Sequence, residues 1–304
     1  MVMLDIQKKA LVLAAASSLI FGLSIPLNKH FLLGIDVPVF LWLRFFFIAV
    51  MLLGFLLIKK KFDFKRFDKI QWMYILGVSC LWTVFSLLFF YGLKMTLPSH
   101  ATFFYIGFPI LIILLGILSF KGRASPKEFI FMTVWILGVL LVFFLRSEKT
   151  DLWNPPLGDV LAIGSVFALS FAGIFYKKSM IKDEDAPIVL FFRFLFGFIL
   201  LGMFLIFFGR TQLTDLNGLN VLFALSSAML MGSSVFLWVY SSGLTETKKI
   251  FFTVLLAPIA TFALSFLMFK EPVSLIQIVG YLLILASFWL IFRKSPDRLR
   301  MFDV

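Results

Sequence analysis

Two arginines stand inside long apolar runs of this chain, Arg44 in LWLRFFF and Arg193 in LFFRFLF. A charged side chain inside a membrane is costly, and it often marks the path of a charged solute or a buried partner. An arginine would hold an anionic or zwitterionic solute through its planar set of N–H donors. The alternative is structural, because a long side chain can reach the nearest interface or bond to neighbouring backbone carbonyls. The sequence leaves both interpretations open.

The two arginines belong to a repeat with an offset of 149 residues. Apolar composition alone does not align charged residues and prolines in this way. The same offset pairs Asp36 with Asp185, Pro38 with Pro187, Tyr91 with Tyr240, Thr96 with Thr245, Pro109 with Pro258, Lys121 with Lys270 and Ser125 with Ser274. A duplicated unit with an odd number of spans inserts its two copies in opposite senses, and such inverted repeats are typical of transporters.

The composition is that of a membrane protein, with 62% hydrophobic residues and a mean hydropathy of +1.05. Runs long enough to cross a bilayer lie at about 10–32, 38–58, 71–93, 97–120, 127–145, 157–178, 187–208, 219–242, 249–269 and 273–292. We therefore predict an all-α polytopic membrane protein with ten transmembrane helices. Residues 1–150 would form the first five-helix repeat and residues 151–304 the second, inverted one.

The net charge of +12 is best explained by topology. Most of the 28 lysines and arginines fall in the connections that share a side with the N-terminus. This asymmetry predicts cytoplasmic N- and C-termini, and we expect a prokaryotic plasma membrane. No nucleic-acid partner is needed to account for the charge. The single cysteine, Cys80, excludes an internal disulfide, and we expect no metal and no cofactor.

Pro109 and Pro258 fall near the middle of their apolar runs. A proline removes one backbone hydrogen bond and clashes with the preceding turn of a helix. Interruptions at matching places in two halves indicate a midplane site or a hinge. The alternative is that each proline only improves packing, since membrane helices tolerate the residue. We predict hinges at both prolines.

Polar and aromatic residues recur at helical spacing on three of the predicted helices. The first and eighth helices carry serine stripes, and the face of the third helix that matches the eighth is aromatic. A cavity with one aromatic wall and one hydroxyl wall would suit an amphipathic solute, although serine is also a common packing residue between membrane helices. The predicted solute pathway comprises Ser24, Asn28, Trp82, Phe85, Phe89, Tyr105, Ser234, Trp238 and Ser241.

The segment LLAPIATFALSFLMFKEPVSLIQIVGYLLILASFWLIF resembles the repeat ending of the EamA-type transporters, in the drug/metabolite transporter superfamily. The shared pattern is a proline in the ninth helix, a short turn with Glu271 and Pro272, and a tenth helix with small residues. The first half follows the same plan in GFPILIILLGILSFKGRASPKEF, but Gly122 stands where Glu271 would be. The two arginines match the arginine early in the second helix of such repeats. The resemblance implies ten helices in two inverted repeats and transport of a small metabolite.

We predict a membrane transporter, an exporter or facilitator of a small metabolite such as an amino acid or an amphipathic solute. It would work by alternating access around a midplane cavity. One alternative is an intramembrane enzyme acting on a lipid-borne substrate, which would need clustered acids, histidines or a nucleophile with a base. Another is a passive channel, which would need a continuous polar ring. The two histidines, His30 and His100, have no metal-ligand spacing, and no acidic residue lies deep in a span. Neither enzyme activity nor coupling through a buried carboxylate is therefore expected, and the oligomeric state stays open.

Overall fold

The computed structural model describes residues 2–59, 67–108, 110–111, 115, 126–144, 157–179, 186–208, 216–242, 244, 252–271 and 274–294. These residues are helical apart from short turns, and they contain no strand. They form ten α-helices: α1 (Val2–Phe31), α2 (Val37–Ile58), α3 (Lys69–Met95), α4 (Pro98–Tyr105), α5 (Pro126–Phe144), α6 (Leu157–Ser179), α7 (Ala186–Phe208), α8 (Gly218–Ser242), α9 (Leu256–Phe269) and α10 (Leu275–Lys294). A 3₁₀ turn, Phe252–Leu255, precedes α9.

Six of the described helices are long and apolar enough to cross a membrane, namely α1, α2, α3, α6, α7 and α8. The apolar parts of α5, α9 and α10 are shorter. The prediction of an all-helical membrane protein is confirmed at this level. The predicted span 97–120 is described only in part, chiefly at residues 97–108, so the number of ten spans stays a prediction.

Helices α3 and α8 occupy matching places in the two halves of the chain, and they begin with similar capping hydrogen bonds. The Gln71 amide donates to the Asp68 side chain over 2.8 Å, and the Asp68 amide donates to the Gln71 side chain over 2.7 Å. At the matching place before α8, the Asn220 amide donates to the Asn217 side chain over 2.8 Å. Such caps satisfy backbone N–H groups that have no partner within the helix. The 149-residue repeat is therefore visible in the local geometry.

The packing of the helices is symmetric under exchange of the two halves. The most extensive contacts all join a helix of the first half to a helix of the second. The repeat relates α1–α5 to α6–α10 in order, and it converts three helix pairs into three others: α3–α6 into α1–α8, α4–α6 into α1–α9, and α3–α7 into α2–α8. Three further pairs consist of a helix and its own counterpart, namely α2–α7, α4–α9 and α5–α10. This is the pattern of an inverted repeat, whose copies are related by a pseudo-twofold axis in the membrane plane.

Helices α1 and α8 run antiparallel, as an inverted repeat requires. The Ser17 hydroxyl donates to the Ser234 carbonyl over 2.7 Å, whereas the Ser227 hydroxyl donates to the Asn28 amide oxygen over 2.6 Å. Later residues of α1 therefore meet earlier residues of α8. We call the side of the bundle on which α1 begins the N-side, and the other the opposite side.

Gly22 allows α1 and α9 to pack in close contact. A Cβ atom at residue 22 would lie 2.3 Å from the Ala257 carbonyl oxygen. The Thr261 hydroxyl also donates to the Gly22 carbonyl over 2.8 Å. Backbone atoms cannot move aside as a flexible side chain can, so any larger residue would push the two helices apart.

The substitution Gly22→Ala is expected to lower the midpoint of thermal unfolding in detergent. Overpacking at a tight contact costs about 1–3 kcal/mol. The matched control is Gly164→Ala in α6, where an added Cβ would meet no atom within 4 Å. Equal midpoints for the two variants would contradict this packing of α1 against α9.

Candidate functional site

A cavity of about 280 Å³ lies between the helices in the N-side half of the bundle. The residues around it come from the middle of α1 and of α3, the second halves of α6 and α8, the end of α4, the start of α7 and the turn before α9. Its lining consists of Ser17, Ser18, Phe21, Trp82, Tyr105, Phe108, Leu169, Tyr176, Leu190, Arg193, Met231, Ser234, Val235, Trp238, Val239, Val254 and Ala257. These side chains are mostly aromatic and aliphatic, with one cation and a few hydroxyl groups, which is typical of a site for a small organic molecule.

Helix breaks at matching places of the two halves border the cavity. Helix α4 ends at Tyr105 and turns before Phe108, while a 3₁₀ turn that includes Val254 leads into α9 before Ala257. The 149-residue offset pairs Tyr105 with Val254 and Phe108 with Ala257, and all four residues line the cavity. Paired interruptions of this kind are typical of the binding sites of transporters built from inverted repeats.

The two prolines of the hinge prediction follow these breaks in the sequence. Pro258 is in the first turn of α9, where a proline removes no hydrogen bond of the helix. The predicted continuous helix 249–269 is thus divided into a 3₁₀ turn and α9 within its described residues. Pro109 lies outside the described residues. Hinge motion at these prolines stays a prediction.

Arg193 supplies the positive charge of the cavity. Its side chain is only 7% exposed, and its guanidinium carbon lies 3.7 Å from the ring centre of Trp82 and 5.9 Å from that of Tyr176. The guanidinium Nε is buried and has no hydrogen-bond partner. Among the residues that the structure describes, no carboxylate forms an ion pair with Arg193. The charge is stabilised by aromatic faces, which leaves N–H donors for an anionic group.

The serines in the wall mainly hold helices together. The Ser17 hydroxyl donates to the Ser234 carbonyl over 2.7 Å, and the Ser234 hydroxyl donates to the Ser17 carbonyl over 3.0 Å. These bonds fasten α1 to α8 beside Trp238. Much of the hydrogen-bonding capacity of these two serines is therefore used between the two helices, and a hydroxyl wall for a solute stays a prediction.

A much smaller pocket, of about 30 Å³, contains the second buried arginine, Arg44. Its guanidinium carbon lies 4.7 Å from the ring centre of Phe90, the side chain is 5% exposed, and its Nε has no hydrogen-bond partner. The pocket lies towards the opposite side from the cavity. Its lining is Phe21, Ser24, Ile25, Asn28, Arg44, Phe45, Trp82, Phe85, Ser86, Phe89, Phe90, Phe194 and Met231. A volume of this size holds about one water molecule and no metabolite.

The structure distributes the predicted pathway residues between these two spaces. Trp82, Tyr105, Ser234 and Trp238 line the cavity, while Ser24, Asn28, Phe85 and Phe89 line the small pocket, to which Trp82 also contributes. Ser241 lines neither of the two. It is fully buried and donates to the Trp238 carbonyl over 2.8 Å.

Sequence reasoning missed Tyr176, a large polar residue of the cavity wall. It lies near the end of α6 next to two lysines, where an aromatic residue is typical of the membrane interface. The offset gives no signal either, because Leu27 is its counterpart. Phe108 and Ala257 could have been found, since each immediately precedes one of the aligned prolines.

A second group of polar side chains, at the opposite-side end of the bundle, is fully buried. His100 in α4 is 0% exposed, and its Nδ1 lies 3.3 Å from a carboxylate oxygen of Asp159, itself 0% exposed. The Thr96 hydroxyl donates to the same carboxylate. The Gln277 Nε2 lies 3.1 Å from the His100 Nε2. These contacts tie the corner between α3 and α4 to the starts of α6 and α10.

Glu271 belongs to the same end of the bundle. It is 2% exposed, accepts a hydrogen bond from the Ser99 hydroxyl over 2.7 Å, and has a second carboxylate oxygen without a hydrogen-bond partner. Thr102 donates to Thr261 over 3.2 Å nearby. Two acidic residues close to helix ends, Asp159 and Glu271, are thus buried. Their full burial denies a substrate access, so the pairing of His100 with Asp159 gives no support to an intramembrane enzyme.

Within the described residues, no group of three histidine, cysteine or acidic side chains could hold a metal ion. The lone cysteine, Cys80, is exposed.

The sequence pattern of the EamA-like transporter family matches residues 8–144 and again residues 156–293. No curated protein matches the chain. Among solved structures 28 chains match, one of them described only as a crystal structure of a protein. That structure has a TM-score of 0.62 and 13% sequence identity, and the match covers 95% of this chain and 97% of the other. The likeness concerns the fold alone. The two family matches cover most of the sequence, and the chain therefore belongs to the EamA-like transporter family.

Proposed function

We propose that this transporter is a carrier for a small solute that combines a carboxylate with an apolar or aromatic body. Amino acids with such side chains, and amphipathic organic acids, are the substrate class. The observation that carries the proposal is Arg193, a buried cation in a cavity whose described residues include no carboxylate partner for it. A solute carboxylate would supply the missing charge and accept the guanidinium hydrogen bonds.

The cost of burying Arg193 favours a role in binding. A buried charge without a counterion is expensive, and a purely structural arginine would satisfy its donors on neighbouring carbonyls. Here the guanidinium stacks on Trp82, with the Tyr176 ring on the cavity wall close by. Stacking leaves the in-plane N–H groups free to meet a carboxylate.

The remaining lining supports an apolar body for the solute. Trp238, Tyr105 and Phe108 present aromatic faces, and Leu190 and Val254 add aliphatic surface. The same faces can hold a solute ammonium by cation–π contact, so a zwitterion also fits. A volume of about 280 Å³ is at the lower end for ligand pockets, which suits a metabolite of amino-acid size.

Alternating access would move two groups of helices that each contain parts of both repeats. The packing joins α1 to α8 and α9, and it joins α3 and α6 to α4. A repeat cannot rock as a unit, because its helices pack mainly against those of the other repeat. The moving bodies are therefore α1 with α8 and α9, and α3 with α4 and α6, around the pair formed by α2 and α7.

The conformation described here corresponds to one end of such a cycle. Space for a solute exists on the N-side, about 280 Å³, whereas the pocket towards the opposite side holds about 30 Å³. The excess of basic residues on the N-side supports a cytoplasmic N-side in a prokaryotic plasma membrane. The proposed topology keeps ten spans, in the repeats 1–150 and 151–304. On this assignment the larger cavity lies in the cytoplasmic half of the bundle, where a solute for export would bind first.

Counterflow in proteoliposomes tests whether the protein is a carrier. Vesicles preloaded with unlabelled L-phenylalanine are expected to take up labelled L-phenylalanine faster than empty vesicles, with a rate that saturates. A carrier gives this acceleration because a loaded site returns across the membrane with solute bound. A linear rate that preloading leaves unchanged would indicate a channel, and a chemical product formed in detergent would indicate an enzyme.

A further inference from the structure

Arg44 and Arg193 are counterparts under the pseudo-twofold axis, and their side chains have similar surroundings. Each arginine lies about two turns into its helix, and the helices start from opposite sides of the membrane. The residues that directly follow them, Phe45 and Phe194, form an edge-to-face pair with ring centres 5.4 Å apart. Each guanidinium lies over an aromatic ring, and each has a buried Nε without a partner.

The pocket around Arg44 carries the groups that an anion site needs. Asn28 and Ser24 lie in its wall with the guanidinium, although the Ser24 hydroxyl donates to the Phe21 carbonyl over 2.7 Å. The Ser227 hydroxyl uses the amide oxygen of Asn28, over 2.6 Å, which leaves the NH₂ donors of Asn28 for a ligand. Phe85 and Phe89 provide an apolar surface beside these donors. The larger cavity likewise combines a cation with aromatic rings, but its described lining has serine hydroxyls in place of the amide.

The two spaces share one dividing wall. Phe21, Trp82 and Met231 line both of them. Trp82 and Met231 are themselves counterparts under the 149-residue offset. When the halves of an inverted repeat exchange conformations, the space on one side contracts and its counterpart expands. The pocket around Arg44 is therefore the contracted form of a second binding site.

We infer that Arg44 is the anion-binding residue of this second subsite, which holds the solute carboxylate when the protein is open to the opposite side. The inference rests on the proposed function, because it takes the carboxylate-bearing solute from there. Arg193 binds the carboxylate in the N-side-open state, and Arg44 binds it after the switch. Trp82 and Met231 separate the two subsites and change partners during the transition.

The test is a transport assay that distinguishes the two sides. In proteoliposomes with uniform insertion, the half-saturating concentration of labelled L-phenylalanine is measured for entry from each side. The substitution Arg44→Gln is expected to raise that concentration about tenfold or more for entry from the opposite side, because a charged hydrogen bond is lost there. Entry from the N-side should change by less than about threefold. Arg193→Gln should show the reverse pattern.

The conservative variant Arg44→Lys keeps the assay decisive if glutamine impairs folding. Lysine keeps the charge but loses the planar donors, so a smaller increase, again confined to the opposite side, is expected. Unchanged values, or equal increases on both sides, would overturn the second subsite while leaving the carrier function intact. Absence of L-phenylalanine counterflow in the unaltered protein would instead count against the proposed function itself.

Discussion

Replacing Arg193 with glutamine is expected to weaken solute binding from the N-side by roughly 10- to 150-fold. The reason is the loss of charged hydrogen bonds, each worth about 1.5–3 kcal/mol, in a cavity whose described lining contains no other cation. Glutamine fits the space left by arginine and keeps neutral donors. Quenching of tryptophan fluorescence by L-phenylalanine analogues in lipid nanodiscs measures the affinity, since Trp82 and Trp238 both line the cavity.

The matched control for this substitution is Arg193→Lys. Lysine retains the charge, but it has no planar group to stack on Trp82, 3.7 Å away in the native contact. An intermediate affinity is therefore expected. If glutamine, lysine and arginine bind the solute equally well, Arg193 has a structural role and the proposed carboxylate contact is wrong.

Replacing Glu271 with alanine is expected to open the opposite side of the protein. In the structure the Ser99 hydroxyl donates to Glu271 and thereby joins α4 to the end of α9, across the boundary between the two moving groups. Removing a hydrogen bond to a charged acceptor costs about 1.5–3 kcal/mol, which shifts a two-state equilibrium roughly tenfold or more. In the Glu271→Ala variant the N-side-open state is no longer stabilised by this hydrogen bond, so the population of the opposite-side-open state increases.

A cysteine at residue 89 reports on this opening, because Phe89 lies in the contracted pocket. After Cys80→Ser, which removes the exposed native thiol, Phe89→Cys is labelled from the opposite side with a membrane-impermeant maleimide. Glu271→Ala should speed the labelling about tenfold. Glu271→Gln still accepts a hydrogen bond from Ser99 and should change the rate much less. Equal rates in both variants would show that this contact does not control the opening.

Much of the architecture could be predicted from the repeat alone. The offset pairs Arg44 with Arg193, and each is the eighth residue of its helix, α2 or α7. Their mirrored depths in the membrane stay a prediction. The aligned prolines pointed to interruptions in both halves, and breaks occur beside Pro258 and just before Pro109. A charged residue or a proline in an apolar run is informative, because each destabilises a membrane helix unless it has a structural or functional role.

Burial at helix ends could not be predicted in the same way. Asp159 and His100 stand near predicted interfaces, where polar residues are ordinary, yet neighbouring helices enclose both completely. Only the packing of α4 against α6 and α9 decides this, and hydropathy contains no information about it. Ser241 is the opposite case. Helical spacing predicted it on the cavity face, but it lines neither space and its hydroxyl bonds to its own helix.

In the proposed mechanism a solute carboxylate binds Arg193 in the N-side cavity. Competition in the counterflow assay tests it most directly, with L-phenylalanine and L-phenylalaninamide as competitors that differ only in the carboxyl group. L-phenylalanine is predicted to inhibit labelled uptake at a concentration at least about tenfold lower than the amide. Equal inhibition by the two compounds would contradict recognition of a carboxylate.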